Sequence, residues 1–226
     1  MENDTPGNIS LLLFDVYGTL LDMSDVKRKV NKLLDSKRGY ILWSETLMHY
    51  CMVENATARN NFTDIARAAM KMTCKSLEVE FTNDGFEEIF ELFKHLPLQE
   101  GAKEGLSQLK DKNFRFIART NFPASTVIER MERTGLISYF EKIITAEETR
   151  KYKPDAEAYN FATKYAGIEN HRSIMITSHG WDICGAMFAG LQSAYIEKGG
   201  EILYPLSPKA QYSAKDLSVL ARQLTK

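Results

Sequence analysis

From residue 102 onward, short apolar runs alternate with helical patterns, and few architectures accommodate that rhythm. Strands are predicted at residues 9–14, 114–118, 142–145, 173–177 and 192–196. Helical patterns at residues 102–110, 125–134, 156–166 and 183–189 separate the later ones. Repeated strand–helix alternation predicts an α/β fold: a parallel sheet with helices on both faces, joined by right-handed crossovers.

Residues 22–96 break the rhythm. They hold no convincing strand pair but three apolar stripes at helical spacing: Ile41, Leu42, Leu47, Met48, Cys51 and Met52; then Ile65, Ala68, Ala69 and Met72; then Phe86, Ile89, Phe90 and Phe93. These methionines and aromatics read as core. Pro97, Gly101 and Gly105 mark the return toward the sheet. The economical organisation is an α/β core of residues 1–21 and 97–226, interrupted after its first strand by a helical cap of residues 22–96. Such a cap would roof the strand ends and exclude water.

The chain of 226 residues is 44% apolar, enough to fill a sizeable core, and carries a formal charge of -1, which gives no electrostatic reason to expect nucleic acid. Lys27-Arg28-Lys29 reads as a solvated helix face. Cys51, Cys74 and Cys184 are far apart, lack metal-ligand spacing and suit a reducing compartment. Residues 1–10 lack the apolar centre of a signal peptide, and no apolar run is long enough to span a bilayer. A cytoplasmic protein with no membrane partner is expected.

Four segments fall where strands of this sheet should end, the place where open α/β sheets bind ligands. The first is Phe14-Asp15-Val16-Tyr17-Gly18-Thr19-Leu20, a buried run closing on a carboxylate. The second is Arg119-Thr120-Asn121; the third is Lys151-Tyr152-Lys153-Pro154-Asp155; the fourth is Thr177-Ser178-His179-Gly180-Trp181-Asp182. Each has a plainer reading. Asp15 could cap a turn, Thr120-Asn121 could cap a helix, Lys153-Pro154 could be an exposed turn, and Asp182 could cap the helix that follows. Four such coincidences at corresponding strand ends favour a site.

With these segments the chain resembles the haloacid dehalogenase superfamily, and within it the L-2-haloacid dehalogenase branch. The likeness rests on the Asp15 segment, on Lys153-Pro154-Asp155 with Tyr159 beyond it, and on Trp181-Asp182 followed by Gly185-Ala186. It implies a Rossmann-like core and makes Asp15 the nucleophile, attacking the halogen-bearing carbon to form an ester that water then hydrolyses. It implies that Lys153 keeps Asp15 ionised, and that Asp182 orients Lys153 or polarises the water. Thr19 and Thr120 would donate hydrogen bonds around nucleophile and substrate, Asn121 would support its loop, and Tyr159 would frame the pocket. A small anionic substrate and a homodimer are the implied partners.

Three positions bear on the chemistry. Metal-dependent phosphatases of the superfamily carry a second aspartate where this chain has Tyr17, a far weaker acid. Halide leaves without protonation, so Tyr17 is compatible with dehalogenation and is expected to line the pocket. Ser178 stands where those phosphatases place an acidic residue, so no essential metal is expected, although Asp15 and Asp182 could support weak magnesium binding. Ser44 follows Trp43 where the dehalogenase branch has an arginine; Arg59 and Arg119 are candidate replacements, each with a structural reading as well. His179 could bond a substrate, a water or Asp15. Three functions therefore stand: a 2-haloacid dehalogenase, a magnesium-dependent phosphatase, and a catalytically impaired anion-binding protein.

Overall fold

Four consecutive apolar residues have no polar face to offer water, so such a strand needs cover on both sides. Leu11–Phe14 forms it: β1, fully buried, at the centre of a parallel six-stranded sheet. The computed structural model describes residues 9–57, 60–198 and 203–225. Strand direction alternates side chains between faces. Leu12 and Phe14 enter the larger cluster with Phe116 and Leu106, whereas Leu11 and Leu13 join Tyr159, Ala162 and Leu191 on the opposite face.

Four helices follow β1: α1 (Ser24–Leu33), α2 (Gly39–Thr57), α3 (Phe62–Ser76) and α4 (Asn83–Leu92). The core rhythm then runs α5 (Ala102–Lys110), β2 (Arg115–Arg119), α6 (Ala124–Thr134), β3 (Lys142–Ile144), α7 (Ala146–Thr149), α8 (Ala156–Ala166), β4 (Ser173–Thr177), α9 (Gly180–Phe188), β5 (Gln192–Ile196), β6 (Tyr212–Ala214) and α10 (Leu217–Leu224). The order across the sheet is β3-β2-β1-β4-β5-β6, every pair parallel. The chain leaves β1 toward β2 on one side and later returns to β4 on the other. The crevice beside β1 is therefore the topological switch point of the sheet.

The expected α/β architecture is present, and α1, α7, β6 and α10 are additions to the individually expected elements. Within α2 the buried face is Trp43, Leu47 and Cys51, at four-residue spacing, and the Trp43 indole donates to the Ala66 carbonyl of α3 at 3.0 Å. Ile41 and Met52, read as core from the sequence, face outward, as does Met72 of α3. The burial of Trp43 turns α2 so that neighbouring apolar residues reach the surface. No helix among the described residues is long and apolar enough to cross a membrane.

Candidate active site

Asp15 is the first residue beyond β1, its backbone N–H still held by the Ile176 carbonyl of β4 at 3.0 Å. The chain then turns back sharply. Gly18 sits at φ +90°, a region open to glycine, and any Cβ there would lie 3.1 Å from the His179 ring. The turn carries Thr19 over the carboxylate, where its hydroxyl donates to Asp15 Oδ2 at 2.8 Å. Ser178, at the end of β4, fastens this turn: its N–H donates to Thr19 Oγ1 (3.0 Å) and its hydroxyl to the Gly18 carbonyl (2.8 Å).

Lys153 arrives from the loop between α7 and α8 and is 1% exposed. Asn121, after β2, holds that loop by both ends of its amide. Its Oδ1 accepts from Lys153 N–H at 2.7 Å, and its Nδ2 donates to the Lys153 carbonyl at 3.1 Å. The ammonium thereby stands between two carboxylates, 2.9 Å from Asp15 Oδ1 and 2.7 Å from Asp182 Oδ2. Tyr159 of α8 completes the chain by donating its hydroxyl to Asp182 Oδ1 at 2.7 Å.

Burial alone would raise the Asp15 carboxyl, but Lys153 and His179 nearby, with hydrogen bonds from Lys153 and Thr19, more than offset it and hold it below the usual carboxylate value of 3.8. Arg119 is fully buried beneath the site, and burial pushes its guanidinium down to about 10 against the pull of Tyr159, Asp182 and Asp15. Two buried carboxylates are thus matched by two buried cations, as charges removed from water require. Arg119 gives its N–H groups to the carbonyls of Ala158 (2.6 Å), Thr120 and Lys151 (2.9 Å). It is a structural cation and does not replace the arginine expected beside Trp43. Arg59, the other candidate, lies outside the described residues.

His179 Nε2 lies 2.9 Å from the Tyr17 carbonyl and 3.4 Å from Asp15 Oδ2. A carbonyl only accepts, so this nitrogen carries a hydrogen. Its ring stacks on Trp181 with centroids 5.5 Å apart. Tyr17 stacks on Phe122 at 3.9 Å, and burial raises its phenol well above the usual 10. It is a poorer acid here than in water.

Above these groups lies a cavity of about 560 Å³. Asp15, Thr120, Asn121, Lys153 and His179 face it from the sheet, with Tyr17 on its wall. Tyr40, Trp43, Ser44 and Leu47 of α2 face it from the inserted helices. Ser44 does point at the cavity, although its hydroxyl donates to the Ile41 carbonyl at 3.0 Å. The cations on the cavity wall besides Lys153 are Lys27, Lys37 and Lys198. Tyr159, expected to frame the pocket, instead lies behind Asp182 and meets the site only through that carboxylate; helix α8 packs on the far face of the sheet. Sequence reasoning missed Phe62 and Phe122 as cavity residues. Phe62 carried no helical stripe of its own, and Phe122 sat one residue past a recognised segment.

A parallel sheet in this order, with a strand-end carboxylate paired to a buried lysine, is the framework of an α/β protein with its site at the switch point. Residues 12–196 match the haloacid dehalogenase-like hydrolase family, and the chain belongs to it. The chain is 21% identical to an (S)-2-haloacid dehalogenase of Pseudomonas sp. strain YL over 91% of its length and 90% of the relative's. The L-2-haloacid dehalogenase RSc1362 superposes with a TM-score of 0.88 at 21% identity, covering 97% of this chain and 100% of that one. The Xanthobacter autotrophicus L-2-haloacid dehalogenase, solved with chloropropionic acid covalently bound, gives 0.84 at 18% identity, covering 96% and 98%. The protein is a hydrolase of this family, related to 2-haloacid dehalogenases.

Proposed function

We propose that the protein hydrolyses 2-haloacids through an ester on Asp15. The observation that carries this reading is the buried chain Asp15–Lys153–Asp182–Tyr159, which keeps one carboxylate ionised at the cavity floor. An Asp15 oxygen attacks C2, the carbon–halogen bond breaks, and halide leaves with the bonding pair. Water then adds to the Asp15 carbonyl carbon, and collapse releases the 2-hydroxyacid with an Asp15 oxygen in its new hydroxyl. One displacement at C2 inverts its configuration. Lys153 and Thr19, already bonded to the carboxylate, are placed to stabilise the oxyanion formed when water adds. Asp182, whose two oxygens accept from Lys153 and Tyr159, orients Lys153; of the two water protons, one ends on the hydroxyl oxygen of the departing hydroxyacid and the other is released to solvent as Asp15 returns to its carboxylate.

The inserted helices act in this reading as a cap that keeps bulk water from the ester. The raised Tyr17 phenol, a poor proton donor for a leaving oxygen, and Ser178, bonded to the Gly18 carbonyl where an acidic residue would help hold magnesium, weigh against the phosphatase reading. Self-association belongs to the proposal as well: Ile41, Met52 and Val53 on α2 are 43%, 47% and 45% exposed, and sedimentation velocity is expected to give a dimer.

Halide release from 2-haloacids, with and without magnesium, tests the activity. Asp15→Asn is expected to abolish it while the far-ultraviolet circular dichroism is retained. A single turnover in ¹⁸O-water with enzyme in excess is expected to give unlabelled hydroxyacid and labelled Asp15. Labelled first-turnover product would rule out the ester.

A further inference from the structure

The cavity is far larger than a small haloacid requires. A three-carbon haloacid fills roughly 100 Å³ at the close packing of a protein interior, against about 560 Å³ in the cleft above Asp15, which is partly open to solvent. Cavities of roughly 300–1,000 Å³ are those of drug-sized ligands. Apolar side chains make up one wall of the cleft, and Lys27, Asn31, Lys37 and Glu45 also stand on its lining. Phe122 is the hub of an aromatic wall, its ring 3.9 Å from Tyr17, 4.4 Å from Phe62 and 4.8 Å from Phe93 by centroids. Leu47 and Met48 of α2 continue that wall, and Ser44, on the same helix face, adds little volume. The cations Lys27 and Lys37 come from α1 and the turn before α2, and Lys27 Nζ lies 5.5 Å from the Tyr40 ring centroid.

Resting on the dehalogenase reading, we propose that the site takes 2-haloacids bearing a long alkyl or aryl substituent on C2, in preference to haloacetate or 2-halopropionate. The halogen-bearing carbon meets Asp15, the carboxylate stays with the Thr120 hydroxyl at the cavity floor, and the substituent extends along Phe122 and Phe62 toward Leu47 and Met48. Ser44 is then a specificity-determining residue: a small side chain that keeps the far part of the cavity open.

The test is kcat/KM for halide release along the series 2-bromoacetate, 2-bromopropionate, 2-bromohexanoate and 2-bromooctanoate, for the wild type and Ser44→Trp. Each buried methylene is expected to raise kcat/KM about three- to fourfold until the wall is covered. Ser44→Trp is expected to lower the value for 2-bromooctanoate more than tenfold and to reverse the order of the series. Highest activity on 2-bromoacetate, falling with length in the wild type, would overturn this inference and leave the dehalogenase reading standing. Were no member to release halide, the dehalogenase reading would fall, and calorimetry with unhalogenated carboxylates would decide the pocket separately. Octanoate binding more tightly than butyrate, and less tightly in Ser44→Trp, would uphold the long-chain pocket; equal or absent binding would overturn it.

Discussion

Lys153 is the residue on which the site's electrostatics turn, because its ammonium neutralises two carboxylates at once. Replacing it by methionine keeps the stem and removes the charge, leaving Asp15 and Asp182 unpaired. Breaking a buried pair in this way costs about 3–5 kcal/mol. The pH dependence should also change sign. In the native protein Asp15 is held below 3.8, so its contribution to stability is complete above that value and is lost as pH falls through the folded value. In Lys153→Met, burial no longer has its largest opponent, and the Asp15 carboxyl rises above 3.8. The folded state then binds more protons than the unfolded chain, and stability should increase as pH falls from neutral toward 3.8. Urea midpoints between pH 4 and 8 check this; parallel profiles for both proteins would sink it. At this scale the sequence was largely legible for charged groups. Asp15, Lys153 and Asp182 stood out because their segments fall at strand ends and resemble the family's motifs. Arg119 and Tyr159 were harder, because whether a side chain faces the cavity or sits beneath it depends on which face of the sheet its element packs against.

At the scale of elements, the strand-to-loop junctions carry the site, and their spacing depends on how closely helices approach. Helix α9 lies against the loop that follows Lys153, and Gly185 is the point of contact: a Cβ there would be 2.4 Å from Pro154 Cβ and 2.7 Å from the Tyr159 hydroxyl. Gly185→Ala would gain about 1 kcal/mol of helix propensity but must displace a buried proline and the donor to Asp182. Overpacking of this kind costs about 1–3 kcal/mol, so the variant should be less stable by thermal melting. It should also lose kcat through the shifted Lys153 and Asp182, and an unchanged kcat would show that the contact does not set the site's geometry. The strands with continuous apolar runs were readable because burial on both faces leaves that signature. Tyr212–Ala214 was not, since an edge strand of three residues with a solvent-facing serine has neither a run nor an alternation long enough to register. The outward turn of Ile41 and Met52 was likewise invisible, because Trp43 could be placed only once α3 was known to receive its indole.

Across the whole molecule, the inserted helices must be tied to the sheet if they are to shape the cavity, and Asn55 near the end of α2 makes that tie. Its Oδ1 accepts from the Tyr152 N–H at 2.8 Å, its Nδ2 donates to the Tyr152 carbonyl at 3.0 Å, and its own carbonyl accepts from Lys151 Nζ at 2.6 Å. The tyrosine hydroxyl returns the contact by donating to the Asn60 carbonyl at 3.0 Å. Residues 151 and 152 directly precede Lys153, so the connection joins the roof of the cavity to the group that holds Asp15. Asn55→Ala removes the two side-chain bonds and leaves a partly buried peptide unpaired, a cost of about 1–3 kcal/mol. Because the loop remains held from the other side by Asn121, the chemistry should survive better than substrate capture: KM should rise several-fold while kcat falls by less than half that factor. Steady-state kinetics with a thermal melt on the same sample checks it. A fall in kcat with KM unchanged would mean that Asn55 acts on Lys153 itself, and that the inserted helices are held over the site by the packing of Phe62 on Phe122 and Tyr152 instead.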